Sequence, residues 1–114
     1  MTSPRLTVLI CTHNRAALLK RVLASLNAAR RPERWDVDIL VAANACSDTT
    51  PDFLAQYQEV REARGWLPLQ WFAEPVPGKS QVLNAAMPRI DVDLTAFVDD
   101  DHRVHVDYLV EICA

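Results

Sequence analysis

What most constrains this chain is the rhythm of its apolar segments. Short runs rich in β-branched and aliphatic residues are each followed at once by a polar loop, and then by a segment with helical spacing. The pattern recurs from one end of the 114 residues to the other. A short continuous apolar run reads as a strand buried on both faces, the signature of a parallel sheet. Strands that alternate with helices imply crossover connections and an α/β domain. The expectation is therefore an open, mostly parallel sheet with flanking helices.

Residues 6–11 (LTVLIC) form the first such run. Thr12, His13, Asn14 and Arg15 break it, and Asn14 reads as a helix N-cap. Leu18, Leu19, Val22, Leu23 and Leu26 then recur at three- and four-residue steps, which predicts a helix over 15–29 that ends before Pro32. A second strand is expected over 37–43. The turn after it leads to Thr49, Thr50, Pro51 and Asp52, a helix start with a hydroxyl cap, a proline and an acid at the positive end. That helix closes near Gly65. Residues 69–72 read as a short third strand, 79–87 as a short helix stopped by Pro88, and 94–98 (LTAFV) as a fourth buried strand. A last helix is expected over 106–113. No internal repeat or domain boundary interrupts the order, so residues 1–114 read as a single domain.

Composition narrows the function classes. The net charge of -3 and the lack of a basic stretch argue against a nucleic-acid partner. No apolar run approaches a membrane span. Three cysteines, Cys11, Cys46 and Cys113, make no CxxC pair, which argues against both a disulfide framework and a structural zinc site. The cytoplasm is the expected setting, the inner face of the membrane included. With only 2 glycines the chain has no GxGxxG fingerprint, which disfavours a dehydrogenase.

The residues that suggest chemistry all sit in loops after the C-terminal ends of strands, where open α/β sheets bind ligands. Asp99, Asp100 and Asp101 lie at the tip of the fourth strand. Side chains alternate there, so Asp99 and Asp101 fall on similar sides and can share one hard divalent cation, while a solvated acidic turn is the plain alternative. Gly78, Lys79 and Ser80 open a helix whose N–H groups suit an anion, although no Walker motif is present. Asn84 lies five residues beyond Lys79. Thr12, Asn14 and Arg15 can grip a nucleotide or simply cap a helix. His13 and His102 read as ordinary loop histidines, His102 being the better candidate because it adjoins the acids. Trp66 and Trp71 read as packing residues.

Taken together, the segments LTVLICTHNRAALLKRVLASL, VAANACSDTT, PGKSQVLNAAM and TAFVDDD resemble family 2 glycosyltransferases, in the right order and across nearly the whole chain. The resemblance implies the N-terminal, nucleotide-sugar-binding portion of a longer GT-A domain, with a Rossmann-like sheet. It implies that Thr12, Asn14 and Arg15 lie against the nucleotide, and that Asn44 and Asp48 line the base-binding turn. Lys79 and Asn84 would sit near the diphosphate and ribose. Asp99 would contact ribose or metal, Asp100 would take the variable middle position, and Asp101 would be the main ligand of Mn2+ or Mg2+. The donor would be a nucleotide-diphosphate sugar and the transfer inverting, with the acceptor open. Two departures matter. Ala43 stands where the family carries an acid against the base, and no residue matches the catalytic base.

The resemblance thus leads us to expect weak nucleotide binding and no turnover by residues 1–114 alone, and an exposed sheet edge that favours self-association. Two rival readings remain at this stage: a non-catalytic nucleotide-binding or assembly module, and an Asp-x-Asp phosphatase with Asp99 as nucleophile.

Overall fold

The computed structural model describes residues 3–114. The first strand, β1 (Arg5–Thr12), shows why the continuous apolar run was diagnostic. Leu6, Val8 and Ile10 enter a core on one side of the sheet, while Leu9 enters a second core on the other. Strand β2 (Asp36–Asn44) behaves alike, with Val37, Ile39 and Val41 on the first side and Leu40 and Ala42 on the second. Period-two alternation between two apolar layers is what a doubly covered sheet demands.

Four strands pair in parallel in the order β3-β2-β1-β4, where β3 is Leu69–Glu74 and β4 is Leu94–Phe97. Helix α1 (Ala16–Ala28) and helix α2 (Thr50–Arg64) bury Leu19, Val22, Leu23, Leu26, Leu54 and Tyr57 in the larger core. Helix α3 (Lys79–Ala86), extended by a 3₁₀ turn at Met87–Arg89, covers the opposite face through Val82 and Ala86. A last short helix, α4 (Tyr108–Ile112), returns to the larger core through Leu109. The α/β class with an open parallel sheet is as expected. The chain leaves β1 on one face by way of α1, and reaches β4 on the other by way of α3. The gap between β1 and β4 is therefore the topological switch point of the sheet.

Four local expectations need correction. Asn14 does not cap α1: Arg15 holds the cap position without a side-chain bond. Asn14 instead has φ 50, a left-handed conformation that asparagine tolerates, and reaches across to the second loop. Thr49 likewise makes no cap bond, because Asp48 Oδ1 accepts from the Thr50 N–H at 3.0 Å. Strand β4 is not buried on both faces. Among the described residues it has one neighbouring strand, α3 packs over β2 and β3, and Phe97 stays 61% exposed. The last helix also starts later than expected, since the Val104 N–H donates to Ser25 Oγ and the Val106 carbonyl accepts from the Arg30 N–H before α4 begins.

Candidate donor-binding cleft

Each side chain of the site is set by the end of a strand. Beyond β1, Thr12 remains buried, and its hydroxyl donates to Asp100 Oδ2 at 2.8 Å. Arg15 Nη1 reaches the other oxygen, Oδ1, at 3.3 Å. Asp100 is 6% exposed, so this middle aspartate points inward and fastens the acidic tip of β4 to the loop after β1. Its buried charge is matched by one guanidinium and one hydroxyl, the pairing a buried carboxylate requires.

Beyond the end of β4 the chain turns, with His102 N donating to the Asp99 carbonyl at 3.2 Å, so strand alternation no longer applies and the turn leaves the neighbours of Asp100 outward. Asp99, Asp101 and His102 are all exposed, and each can bring one ligand atom within 4.8 Å of the others. His102 Nε2 lies 3.9 Å from Asp99 Oδ2 and 4.0 Å from Asp101 Oδ1. Two carboxylates and an imidazole form a donor set that suits Mn2+, and the carboxylates alone suit Mg2+.

The loop after β2 serves the cleft as a strut. Asn44 is buried; its amide donates to the carbonyls of Glu74 at 3.1 Å and Val76 at 2.8 Å, while its Oδ1 accepts from Gly78 N at 3.1 Å. The Asn44 carbonyl takes a hydrogen bond from His13 Nδ1 at 2.7 Å. A carbonyl only accepts, so Nδ1 carries the hydrogen and Nε2 is left free. Asn44 thus joins β2 to the approach of α3, and Gly78, at φ 127, makes the turn that an L side chain resists.

A second brace lies outside the cleft. Asn14 Oδ1 accepts from the N–H groups of Ser47 at 2.7 Å and Asp48 at 3.2 Å. Asp48 Oδ2 accepts from Ala16 N at 3.3 Å while its other oxygen holds Thr50 N, so one carboxylate caps both α1 and α2. The Thr50 hydroxyl and N–H close by hold the Asp48 carboxyl below its ordinary range, with the Ala16 N–H contributing; of the two Thr50 groups only the N–H makes a hydrogen bond of good geometry.

The cleft itself measures about 410 Å³ and opens at the switch point between β1 and β4. Of the residues expected there, Thr12, Arg15, Asn44, Lys79, Asp99 and Asp100 line it. Asn14, Asp48, Asn84 and Asp101 do not. Asn14 and Asp48 form the brace just described, Asn84 is exposed on α3, and Asp101 stands at the rim with His102. Cys11, His13 and Val82 complete the lining and were not among the expected site residues. A period-two reading places Cys11 on the α3 side, and His13 carried a signal in its place directly after a strand. Burial pushes the Cys11 thiol up; Lys79 opposes this, and Asp100 and Asp99 add to it, so Cys11 acts as wall rather than nucleophile. Trp66, by contrast, is a packing residue as expected, stacked 4.9 Å from the Tyr57 ring.

Comparison with known proteins agrees with this fold. The family model described as glycosyl transferase family 2 matches residues 7–113. Among curated proteins no match is found. Among solved structures, S. aureus TarS 1-349 superposes with a TM-score of 0.79 at 20% identity, covering 96% of this chain and 31% of that one. The mannosyltransferase PcManGT from Pyrobaculum calidifontis, in complex with GDP-Man and Mn2+, superposes with a TM-score of 0.80 at 25% identity, covering 94% and 30%. TarS 1-349 in complex with UDP-GlcNAc gives 0.75 at 21% identity, covering 96% and 30%. This chain therefore spans about a third of the length of the solved structures it matches. The phosphatase reading is set aside, and the chain belongs to glycosyl transferase family 2.

Proposed function

We propose that this chain binds the donor of a sugar transfer, a nucleoside diphosphate sugar, in the switch-point cleft, with Mn2+ or Mg2+ held at the acidic tip. The carrying observation is the convergence of Thr12, Arg15, Lys79, Asp99 and Asp100 on one cleft at the C-terminal ends of β1 and β4. Support comes from the structures it resembles, one described with GDP-Man and Mn2+ and another with UDP-GlcNAc.

Asp99 and Asp101 would hold the cation, with His102 as a third donor; their outward, mutually close ligand atoms fit that task. When bound, the cation supplies positive charge against the diphosphate leaving group. Lys79 adds an ammonium at the N-terminus of α3, where the unpaired N–H groups also favour an anion. Asp100 keeps the acidic tip against β1 and sets Arg15 at the cleft wall. Asn44 and Asp48 act as supports of the base-side loops rather than as contacts to the base. The identity of the base stays open, since Ala43 offers no acid and the resembling structures carry both uridine and guanosine donors.

In the whole transferase, residues 1–114 act as the donor-binding portion of a longer GT-A domain, and the transfer inverts the sugar. An inverting transfer needs a base for the acceptor hydroxyl, and that role is assigned to no residue of this chain. The free state of Cys11, Cys46 and Cys113 supports a reducing, cytoplasmic setting.

Calorimetric titration of UDP and GDP, with and without Mn2+, tests the reading. Metal-dependent binding that is lost in Asp99→Asn/Asp101→Asn is expected. Binding of neither nucleotide under any metal condition would overturn it. A second reading, self-association, is favoured by β4, whose outer edge lacks a partner strand among the described residues and whose Phe97 is exposed. Light scattering at high concentration tests it: a dimer dissociated by Thr95→Pro is expected, and a monomer refutes it.

A further inference from the structure

On the face of the sheet away from α3, α1 and α2 leave a groove of about 520 Å³ between them, remote from the cleft in its residues and in its chemistry. It is open because α1 presents two exposed alanines there, Ala24 and Ala28, one helical turn apart. Its walls are aromatic, formed by Phe53 and Trp66, and a cation stands over each ring. Lys20 Nζ is 5.2 Å from the Phe53 centroid, and the Arg64 guanidinium is 5.3 Å from that of Trp66. Among the described residues neither cation has a carboxylate partner. The same two alanines line a second hollow on the other flank of α1, shared with Arg21 and Arg103. No acid lines either hollow. In a chain of net charge -3, this face is locally positive and apolar at its centre.

A concave apolar groove with cations on its rim requires a convex occupant that is apolar along one ridge and acidic on its flanks. A bilayer surface supplies anions but no ridge. The large apolar side chains that could insert into a bilayer, Val76, Met87, Phe97 and Val106, all lie outside the groove. A nucleic acid supplies phosphates but no apolar ridge. We infer that the α1–α2 face docks an acidic amphipathic helix of a partner protein. Its apolar anchors at i, i+3, i+4 and i+7 seat over Ala24 and Ala28, and its carboxylates meet Lys20, Arg21, Arg64 and Arg103. Alanine at the contact lets two helix axes approach closely, and exposed cations held over aromatic rings give the rim its preference for acid. The inference does not rest on the donor-site reading.

The test uses a labelled helical peptide with leucines on one ridge and glutamates on both flanks, titrated by fluorescence anisotropy. Its controls are the same composition in scrambled order and a version with lysine in place of glutamate. Saturable binding of the acidic ridge peptide alone is expected. Ala24→Trp and Ala28→Trp, on exposed positions, should fill the groove and weaken binding at least about tenfold, the effect of blocking a central anchor pocket. Lys20→Glu/Arg64→Glu should lose the acidic peptide and gain the lysine version, an exchange that an unfolded variant cannot mimic. The inference is overturned if the acidic peptide does not bind, if the scrambled peptide binds equally, or if Ala24→Trp changes nothing. Binding to phosphatidylglycerol vesicles that depends on Ala24 in the same way would also overturn it, in favour of a membrane surface.

Discussion

Replacing Asp100 with alanine removes a side chain that ties the acidic tip to the end of β1 and the loop after it. Two bonds go: the 2.8 Å bond from Thr12 and the 3.3 Å ion pair with Arg15. They do not weigh equally. The Arg15 side chain is 53% exposed, so water replaces its partner at little cost and the ion pair contributes a fraction of a kcal/mol. Thr12 is 3% exposed, and its buried hydroxyl is left without a partner, which costs about 1–3 kcal/mol. The total, about 2–3 kcal/mol, lowers the Tm of a domain of this size by about 10 °C. Asp100→Asn keeps an acceptor for Thr12 and should lose less than half as much. Thr12→Val combined with Asp100→Ala should recover part of the loss, because no unpaired hydroxyl then remains. Thermal unfolding of the three variants measures the ladder. Calorimetry with nucleotide and Mn2+ measures whether Asp99 and Asp101 keep their places. An Asp100→Ala protein with unchanged Tm and unchanged metal-dependent affinity would refute the idea that this aspartate organises the site.

Asp48→Asn should unfold at lower temperature than the parent near neutral pH. The Asp48 carboxyl is held low in the folded state, so its contribution is fully present above the ordinary aspartate range and is lost as pH falls through the lower folded value. The gap between the two unfolding curves should therefore close in acid, below about pH 4. Asn44→Ala removes an amide that bonds Glu74, Val76 and Gly78, and should cost about 2–3 kcal/mol by urea unfolding, with no change in slope. Gly78→Ala should cost about 1 kcal/mol or more for its positive φ alone, since the nearest atom to an added Cβ is Gln81 Cγ at 4.0 Å, and it should weaken nucleotide binding through Lys79.

The parts of this fold that could be read from the residues are those decided locally. Residues 6–11 and 37–43 are largely apolar because both faces of β1 and β2 are covered, whereas a strand with one wet face would alternate with polar residues. The stripe of Leu19, Val22, Leu23 and Leu26 gave α1 its buried face for the same reason. What could not be read is decided by distant partners. Asn14 looks like a helix cap, yet its contacts lie 33 residues away at Ser47, and a local rule has no access to them. Asp100 looks like the variable member of an acidic triplet, yet it is the buried one, because Thr12 and Arg15 wait for it 88 and 85 residues earlier. The segment 94–98 is as apolar as β1, but whether a strand is central or at an edge depends on the order of the sheet, and Phe97 is exposed in consequence. Asn84 and Lys79 share α3, and only Lys79 faces the cleft; a five-residue offset on a helix turns a side chain well away from its neighbour.

The proposed function makes donor binding depend on a divalent cation seated where the tip of β4 meets the loop of β1. Paramagnetic broadening of backbone amides by Mn2+, in the presence of GDP or UDP, locates that cation directly. The expected result is loss of signal around Asp99, Asp101 and His102, spreading to His13 and Lys79, with the far end of α2 near Arg64 untouched. Broadening centred on the other exposed acids, such as Asp91 and Asp93 at the opposite end of the sheet, or none at all, would contradict it.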